Sequence, residues 1–242
     1  MKYSVIIPAY REESIIGSSL VRLAAYLEDQ QMLKDTEVIV VAADGGDKTA
    51  EIARDKAHYF ATLRLVEPGP KVGKGRDVHE GVKVSTGDFI LFTDADLATP
   101  EYYIGPAFQK LHDGVDVVIG VRELRAIHKG FKRTAVSLLT NILTRIVLLP
   151  NIPDTQCGFK AFTRDAALTI FKRQTINGWG FDMEIIKIAK IHKLKIFKMR
   201  IPDWHDPKID QGLVGESSIS AAWHTFKELL TIRVNSWKGR YE

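Results

Sequence analysis

Residues 88–100 read DFILFTDADLATP. Phe89, Ile90, Leu91 and Phe92 form an unbroken apolar run, which reads as a buried strand. The run ends in Thr93, Asp94, Ala95 and Asp96. In an open α/β sheet, ligands gather at the carboxyl ends of strands. Two carboxylates there make a hard oxygen site suited to Mg²⁺ or Mn²⁺ and to an anion that the metal carries. Strand alternation points side chains at i and i+2 the same way, so Asp94 and Asp96 are expected to face one cleft. A polar loop with Asp96 near a helix start, opened by Pro100 and Glu101, explains the same residues. The pattern alone does not separate the two.

Outward from this stretch, strand and helix alternate. Residues 3–9 (YSVIIPA) read as a first buried strand and 14–31 as a helix with Ile15, Ile16, Leu20, Leu23 and Leu27 on one face. A strand at 37–43 follows, then a turn, Asp44-Gly45-Gly46-Asp47, with Asp47 as the expected cap of a helix over 48–57. A weaker strand at 60–66 leads to Gly73-Lys74-Gly75 and a helix ending near Gly87; a further strand is expected at 116–121. This order predicts an α/β fold, a mostly parallel sheet with helices on both faces.

The second half changes character. Residues 129–149 are strongly amphipathic, with Lys129, Lys132 and Arg133 at the start. The segment DTQCGFKAFTRDAA, 154–167, reads as a strand and then a helix from near Arg164. Residues 181–192 read as a helix, 195–202 as a strand, and 219–237 as a last amphipathic helix. No composition break divides the chain, so residues 1–242 are expected to form one domain.

Bulk composition narrows the classes. The 242 residues are 45% hydrophobic and 26% charged, as in an ordinary globular protein. A net charge of +4 fits phosphate-bearing ligands or an anionic membrane surface and is too weak to argue for nucleic acid. The single cysteine, Cys157, excludes an internal disulfide and a cysteine-rich zinc site, which fits a reducing compartment. The opening MKYSVIIPAY gives too short an apolar run before Arg11 and Glu12 for a signal peptide, and no run approaches a membrane span. The expected location is cytoplasmic.

Three further constellations carry chemistry. Pro8, Ala9, Tyr10 and Glu12 at the end of the first strand suit a base and ribose, or simply a strand-to-helix turn. Gly73-Lys74-Gly75 can bring backbone N–H groups and a lysine to phosphate at a helix start, without the spacing of a P-loop. Asp182 and Glu184, beside Trp179 and Phe181, suit a base or a positioning group, or capping alone. Arg122, Lys129, Lys132, Arg133 and Lys160 are candidates for a basic rim.

The motifs VIIPAYREE, GKG, TDAD, GVRE, DTQCGFKAF, GWGFDMEI and IRVNSWKGRY occur in an order that resembles the inverting family-2 glycosyltransferases with the GT-A fold. Within them the chain is most similar to polyprenyl-phosphate (dolichyl-phosphate) glucosyl- and mannosyltransferases. The resemblance implies a nucleotide-sugar half, 1–120, and an acceptor half, 121–242, with C-terminal amphipathic helices. It places Pro8, Ala9, Tyr10, Glu12, Asp44, Lys74, Asp94, Ala95 and Asp96 at the UDP- or GDP-linked donor. Asp94 and Asp96 would hold Mg²⁺ or Mn²⁺, with Asp96 the firmer ligand. Arg122, Arg133 and Ser137 would hold the acceptor phosphate, and Gln156, Asp182 and Arg122 would surround the reaction centre.

Three positions depart from the pattern. Ala42-Ala43-Asp44-Gly45-Gly46-Asp47 replaces the family's Asp-Asp-Gly-Ser turn, so Asp44 matches only with a one-residue gap. Ala98 replaces the metal-supporting glutamine of some mannosyl members, which leans toward the glucosyl type. Ser217-Ser218 replaces a Ser-Lys motif, which leaves a basic role to Lys208.

The implied reaction is displacement at the anomeric carbon with inversion. A phosphate monoester, with a second pKa of about 6, is largely dianionic at pH 7 and needs cations more than a base. Asp182 would then position, whereas a neutral hydroxyl acceptor would require it as base. Residues 129–149 and 219–237 would lie on a membrane surface or pack on the sheet. A non-catalytic nucleotide-sugar-binding protein is the alternative from another class.

Overall fold

The computed structural model describes residues 1–123, 152–205 and 219–242, the last without the side chains of 219–226. The expected amphipathic segment 129–149, with Arg133 and Ser137, and the loop carrying Lys208 lie outside the described residues.

The elements run β1 (Tyr3–Ala9), α1 (Ile16–Asp29), β2 (Thr36–Ala42), α2 (Thr49–Asp55), β3 (Thr62–Val66), α3 (Lys74–Val84), β4 (Phe89–Thr93), α4 (Ile104–His112) and β5 (Val117–Arg122). Then come β6 (Phe159–Thr163), α5 (Arg164–Phe171), α6 (Phe181–Ile191), β7 (Ile196–Ile201) and α7 (Ile219–Trp237). Among the described residues seven strands form one sheet in the order β3-β2-β1-β4-β6-β5-β7. All neighbours are parallel except β6, which runs antiparallel to both β4 and β5. The mostly parallel α/β sheet is as the alternation predicts.

Strand periodicity divides the core into two layers. On β1, β2 and β4, Ile6, Ile39, Val41, Ile90 and Phe92 face one side with α3, α5 and α6. Val5, Ile7, Val38, Val40 and Leu91 face the other side with α1 and α4. Helix α1 follows the expected spacing: Ile16, Leu20, Leu23 and Leu27 are fully buried. Helix α6 is buried almost all round, including Asp182 and Glu184. A helix apolar on every side belongs inside, so its two acids need partners there.

Asp47 reaches the first turn of α2 as expected, its Oδ1 accepting the Thr49 amide at 3.4 Å, although the cap position itself is Lys48, which makes no side-chain hydrogen bond. Asp47 also accepts from the Thr49 hydroxyl at 2.7 Å and the Glu13 amide at 3.3 Å, tying the β2 turn to the β1 turn.

The amino ends of β1 and β2 are joined by a buried carboxylate. Glu37 accepts from the Ser4 hydroxyl (2.7 Å), the Thr86 amide and hydroxyl (2.5 and 2.8 Å) and the Gly87 amide (3.2 Å). Glu37→Ala should lower unfolding free energy by about 3–5 kcal/mol in urea titration, because the donors lose their acceptor inside the protein. Glu37→Gln keeps an acceptor oxygen and should cost clearly less.

Candidate functional site

The chain leaves β1 toward β2 and β3, then crosses back to place β4 on the other side of β1. At such a reversal the connections diverge and open a crevice at the carboxyl ends of the strands. Here the crevice is a cavity of about 380 Å³. Pro8, Ala9, Tyr10 and Glu12 line it from β1, and Asp94, Ala95 and Asp96 from β4. Lys71, Gly73, Lys74 and Asp77 close it from the start of α3, and Trp179 from the loop before α6.

Asp94 and Asp96 do face one cleft, by a different device from strand alternation. Strand β4 ends at Thr93, and a turn follows in which the Leu97 amide bonds to Asp94 O (3.1 Å) and the Ala98 amide to Asp96 Oδ1 (3.0 Å). Leu97 is held at φ 50, and Arg11, just past β1, at φ 57. Such left-handed conformations cost non-glycine residues about 1–3 kcal/mol and collect where a site over-determines the backbone. Both strand ends facing the crevice therefore carry strain. Gly158, just before β6, is required beside Asp94, since a Cβ at 158 would run into the Asp94 carboxylate.

Two lysines face two acids, one pair at the cleft and one in the interior. Lys74 is ion-paired to Asp94, and Lys160 to Asp182. Burial pulls the Lys74 ammonium down, but Asp94, Asp182 and Asp96 overcome it and hold it above the ordinary lysine range. Burial pushes the Asp182 carboxyl up, against the opposing pull of Lys160 and Lys74. Lys160 is 1% exposed and also donates to Cys157 O at 2.7 Å, so it is not part of a basic rim. Its role is to supply the cation that a carboxylate at 2% exposure needs.

The Gly73-Lys74-Gly75 turn also differs from expectation. The Gly75 and Arg76 amides both donate to Asn177 O, at 2.8 and 3.3 Å, and the Asp77 amide to Gly73 O. These first-turn donors are spent inside the protein, and the feature that reaches the cleft is the Lys74 side chain. A Cβ at Gly75 would stand 2.7 Å from Ile176 O, so the glycine admits the α6 loop rather than a phosphate.

Arg122 lies at the end of β5 with its guanidinium held by Asp154, Nε to Oδ2 at 2.6 Å and Nη2 to Oδ1 at 2.9 Å, and Trp204 packs on it at 5.0 Å. Its charge is therefore already matched within the fold. The same Asp154 accepts the Gln156 amide at 3.1 Å. Asp44 lines a separate hollow of about 310 Å³ beside the cleft, with Asp47 and Glu67. Ala42 and Ala43, where the family pattern has acids, are buried. Glu184 is structural: it accepts from the Thr175 amide and hydroxyl, the Ile176 amide and the Tyr241 hydroxyl, at 2.6–3.0 Å. Burial lifts the Cys157 thiol to about 11, which leaves it a packing group.

Sequence reading missed Lys71, Asp77 and Trp179 as cleft residues, and Asp154 and Lys160 as partners. Lys71 Nζ sits 4.1 Å above the Tyr10 ring. No spacing rule connects those two positions, which meet only through the fold.

Glu12, Asp77, Asp94 and Asp96 outnumber the two lysines that line the cleft. A divalent cation fits that excess, and Asp94 and Asp96 offer the hard oxygens for it. Among the described residues no group of three His, Cys, Asp or Glu side chains can hold a metal. Mg²⁺ commonly takes one or two carboxylates and completes its shell with substrate phosphates and water, so two suffice.

Lys160→Met should destabilise the fold by about 3–5 kcal/mol, since the buried Asp182 loses the cation paired directly with it. Lys160→Met combined with Asp182→Leu should recover most of that loss, as measured by denaturant midpoint.

The family model described as Glycosyl transferase family 2 matches residues 4–171. The dolichyl-phosphate beta-glucosyltransferase ALG5D of Trichomonas vaginalis is 33% identical over 84% of this chain and 65% of its own length. This chain thus spans just under two thirds of that relative. The human dolichyl-phosphate beta-glucosyltransferase is 28% identical over 98% of this chain and 76% of its own. Glucosyl-3-phosphoglycerate synthase from Mycobacterium tuberculosis, solved with Mn²⁺, UDP and glucosyl-3-phosphoglycerate, superposes with a TM-score of 0.69 at 19% identity. That match covers 96% of this chain and 80% of the synthase, and it places the sheet in the GT-A fold.

Proposed function

This chain belongs to glycosyl transferase family 2, and on that premise we propose that it transfers glucose from UDP-glucose to a polyprenyl phosphate of the dolichyl type, with inversion. The observation that carries the reading is the crevice itself, where Tyr10, Lys74, Asp94 and Asp96 meet at the reversal of the sheet. Relatives named as dolichyl-phosphate beta-glucosyltransferases supply the sugar and acceptor, and the UDP-bound structural neighbour supplies the base.

Asp94 and Asp96 would hold Mg²⁺ or Mn²⁺, which when bound offsets charge on the departing diphosphate. Tyr10, with Lys71 above its ring, offers a stacking surface for the base. Lys74 releases part of its hold on Asp94 and meets the β-phosphate, staying cationic because burial is outweighed by the acids around it. Asp182 lies deep in the fold with its charge matched by Lys160. An acceptor phosphate that is already a dianion needs no proton removed, so Asp182 orients rather than abstracts. Gln156, whose backbone amide is held by Asp154, would lie beside the sugar. Arg122, bound by Asp154, contributes a directed N–H edge to the acceptor phosphate rather than a free charge; Arg133, Ser137 and Lys208 complete that proposal. None of the described helices is long and apolar enough to cross a membrane. The protein would meet its lipid at the cytoplasmic membrane face through amphipathic surfaces, with residues 1–242 acting as one domain.

Asp182→Asn separates the two acceptor classes. In single-turnover transfer by folded protein, a phosphate acceptor predicts a loss of only a few-fold. A loss of about 10²–10⁴-fold would assign Asp182 as general base and point to a hydroxyl acceptor. Gly158→Ala should displace Asp94 and weaken Mn²⁺-dependent UDP binding by tenfold or more, read by calorimetry.

A further inference from the structure

Glu228 lies on α7, far along the chain from every motif of the cleft, yet its carboxylate enters the loop that closes the cleft. Oε2 accepts the Gly180 amide at 2.8 Å. A Cβ at Gly180 would stand 2.7 Å from both Cβ and Oε2 of Glu228, and one at Gly178 would collide with Oε1. The two glycines thus form a cradle that admits a carboxylate and nothing bulkier beside it.

Between them sits Trp179, 66% exposed and lining the cleft, with Lys74 Nζ 5.7 Å from its ring. Gly180 is the cap of α6, whose second residue is Asp182, and it makes no side-chain cap of its own. A carboxylate at a helix N-terminus satisfies an unpaired amide and the positive end of the dipole. One residue before the cradle, Asn177 O takes the first amides of α3, the helix that begins with Lys74. The loop 177–180 is therefore a junction for Lys74, Trp179 and Asp182, and Glu228 is the group that grips it from outside.

We infer that Glu228 is a positioning residue for the cleft: it fixes Trp179 and the first turn of α6 through Gly180. As far as turnover is concerned this rests on the transferase reading; the placement of Trp179 does not. A structural role alone would lower stability without moving Trp179 or the donor KM.

The test labels the protein with 5-fluorotryptophan, assigns the Trp179 ¹⁹F resonance by its loss in Trp179→Phe, and measures UDP-glucose kinetics with Mn²⁺. Glu228→Gln keeps an oxygen for the Gly180 amide and should leave the resonance and KM close to the wild type. Glu228→Ala should shift or broaden the Trp179 resonance and raise the donor KM about tenfold or more, with a smaller change in kcat. Gly178→Ala, which crowds the carboxylate from the other side, should do the same. If Glu228→Ala does not fold, Glu228→Asp, one methylene short of Gly180, carries the same readout. An unchanged Trp179 resonance and KM in Glu228→Ala or Glu228→Asp would overturn the inference. A displaced Trp179 with no turnover of UDP-glucose even in the wild type would uphold the grip and overturn the transferase reading.

Discussion

Parallel pairing of β1 with β4, while the chain between them builds β2 and β3 on the far side, is the constraint on which the site depends. Two adjacent strands whose connections diverge cannot both be covered at their carboxyl ends. The gap is filled by turns, and those turns carry Tyr10 and Glu12 on one side and Asp94 and Asp96 on the other. The left-handed residues Arg11 and Leu97 show that the chain is bent sharply at both places. A core apolar on both faces of the sheet holds these turns open, since β1, β2, β4 and α6 are buried almost throughout.

Carboxylates drawn into so apolar a setting require cations. Lys74 and Lys160 supply them, one at the mouth of the cleft and one beneath it. The arrangement separates two jobs. Lys160 is sealed in and keeps Asp182 in place, while Lys74 is partly open to the cleft. Arg122 shows the same economy at the end of β5, where Asp154 fixes its guanidinium from two sides. Arg122 and Lys160, rim candidates in the sequence, are paired within the fold, with Asp154 and Asp182.

The order of elements was legible because apolar periodicity is local. The expected strands at 3–9 and 37–43 and the helices over 181–192 and 219–237 lie within a residue or two of those observed. The cleft residues at strand ends were legible for the same reason: once a strand is recognised, its carboxyl end is known. What could not be read is what depends on partners distant in sequence. Lys160 looks like a rim charge because nothing near it in the chain reveals Asp182. The glycines at 73 and 75 look like a phosphate cradle because Asn177, which takes their helix's amides, is a hundred residues away. Asp44 matches a family position by a gap and lies in a neighbouring hollow, because alanines occupy the strand end before it.

The measurement that bears most directly on the account is nucleoside diphosphate release by the purified protein. UDP-glucose and a panel of other nucleotide sugars would be supplied with Mg²⁺ or Mn²⁺, with and without a short-chain polyprenyl phosphate. The account predicts UDP release from UDP-glucose that requires both the metal and the lipid phosphate, and that is lost in Asp96→Ala. Release that is independent of lipid phosphate, or that occurs only with a soluble hydroxyl acceptor, would contradict the acceptor. Metal-dependent UDP binding with no release from any donor would contradict the transferase and leave a nucleotide-sugar-binding protein.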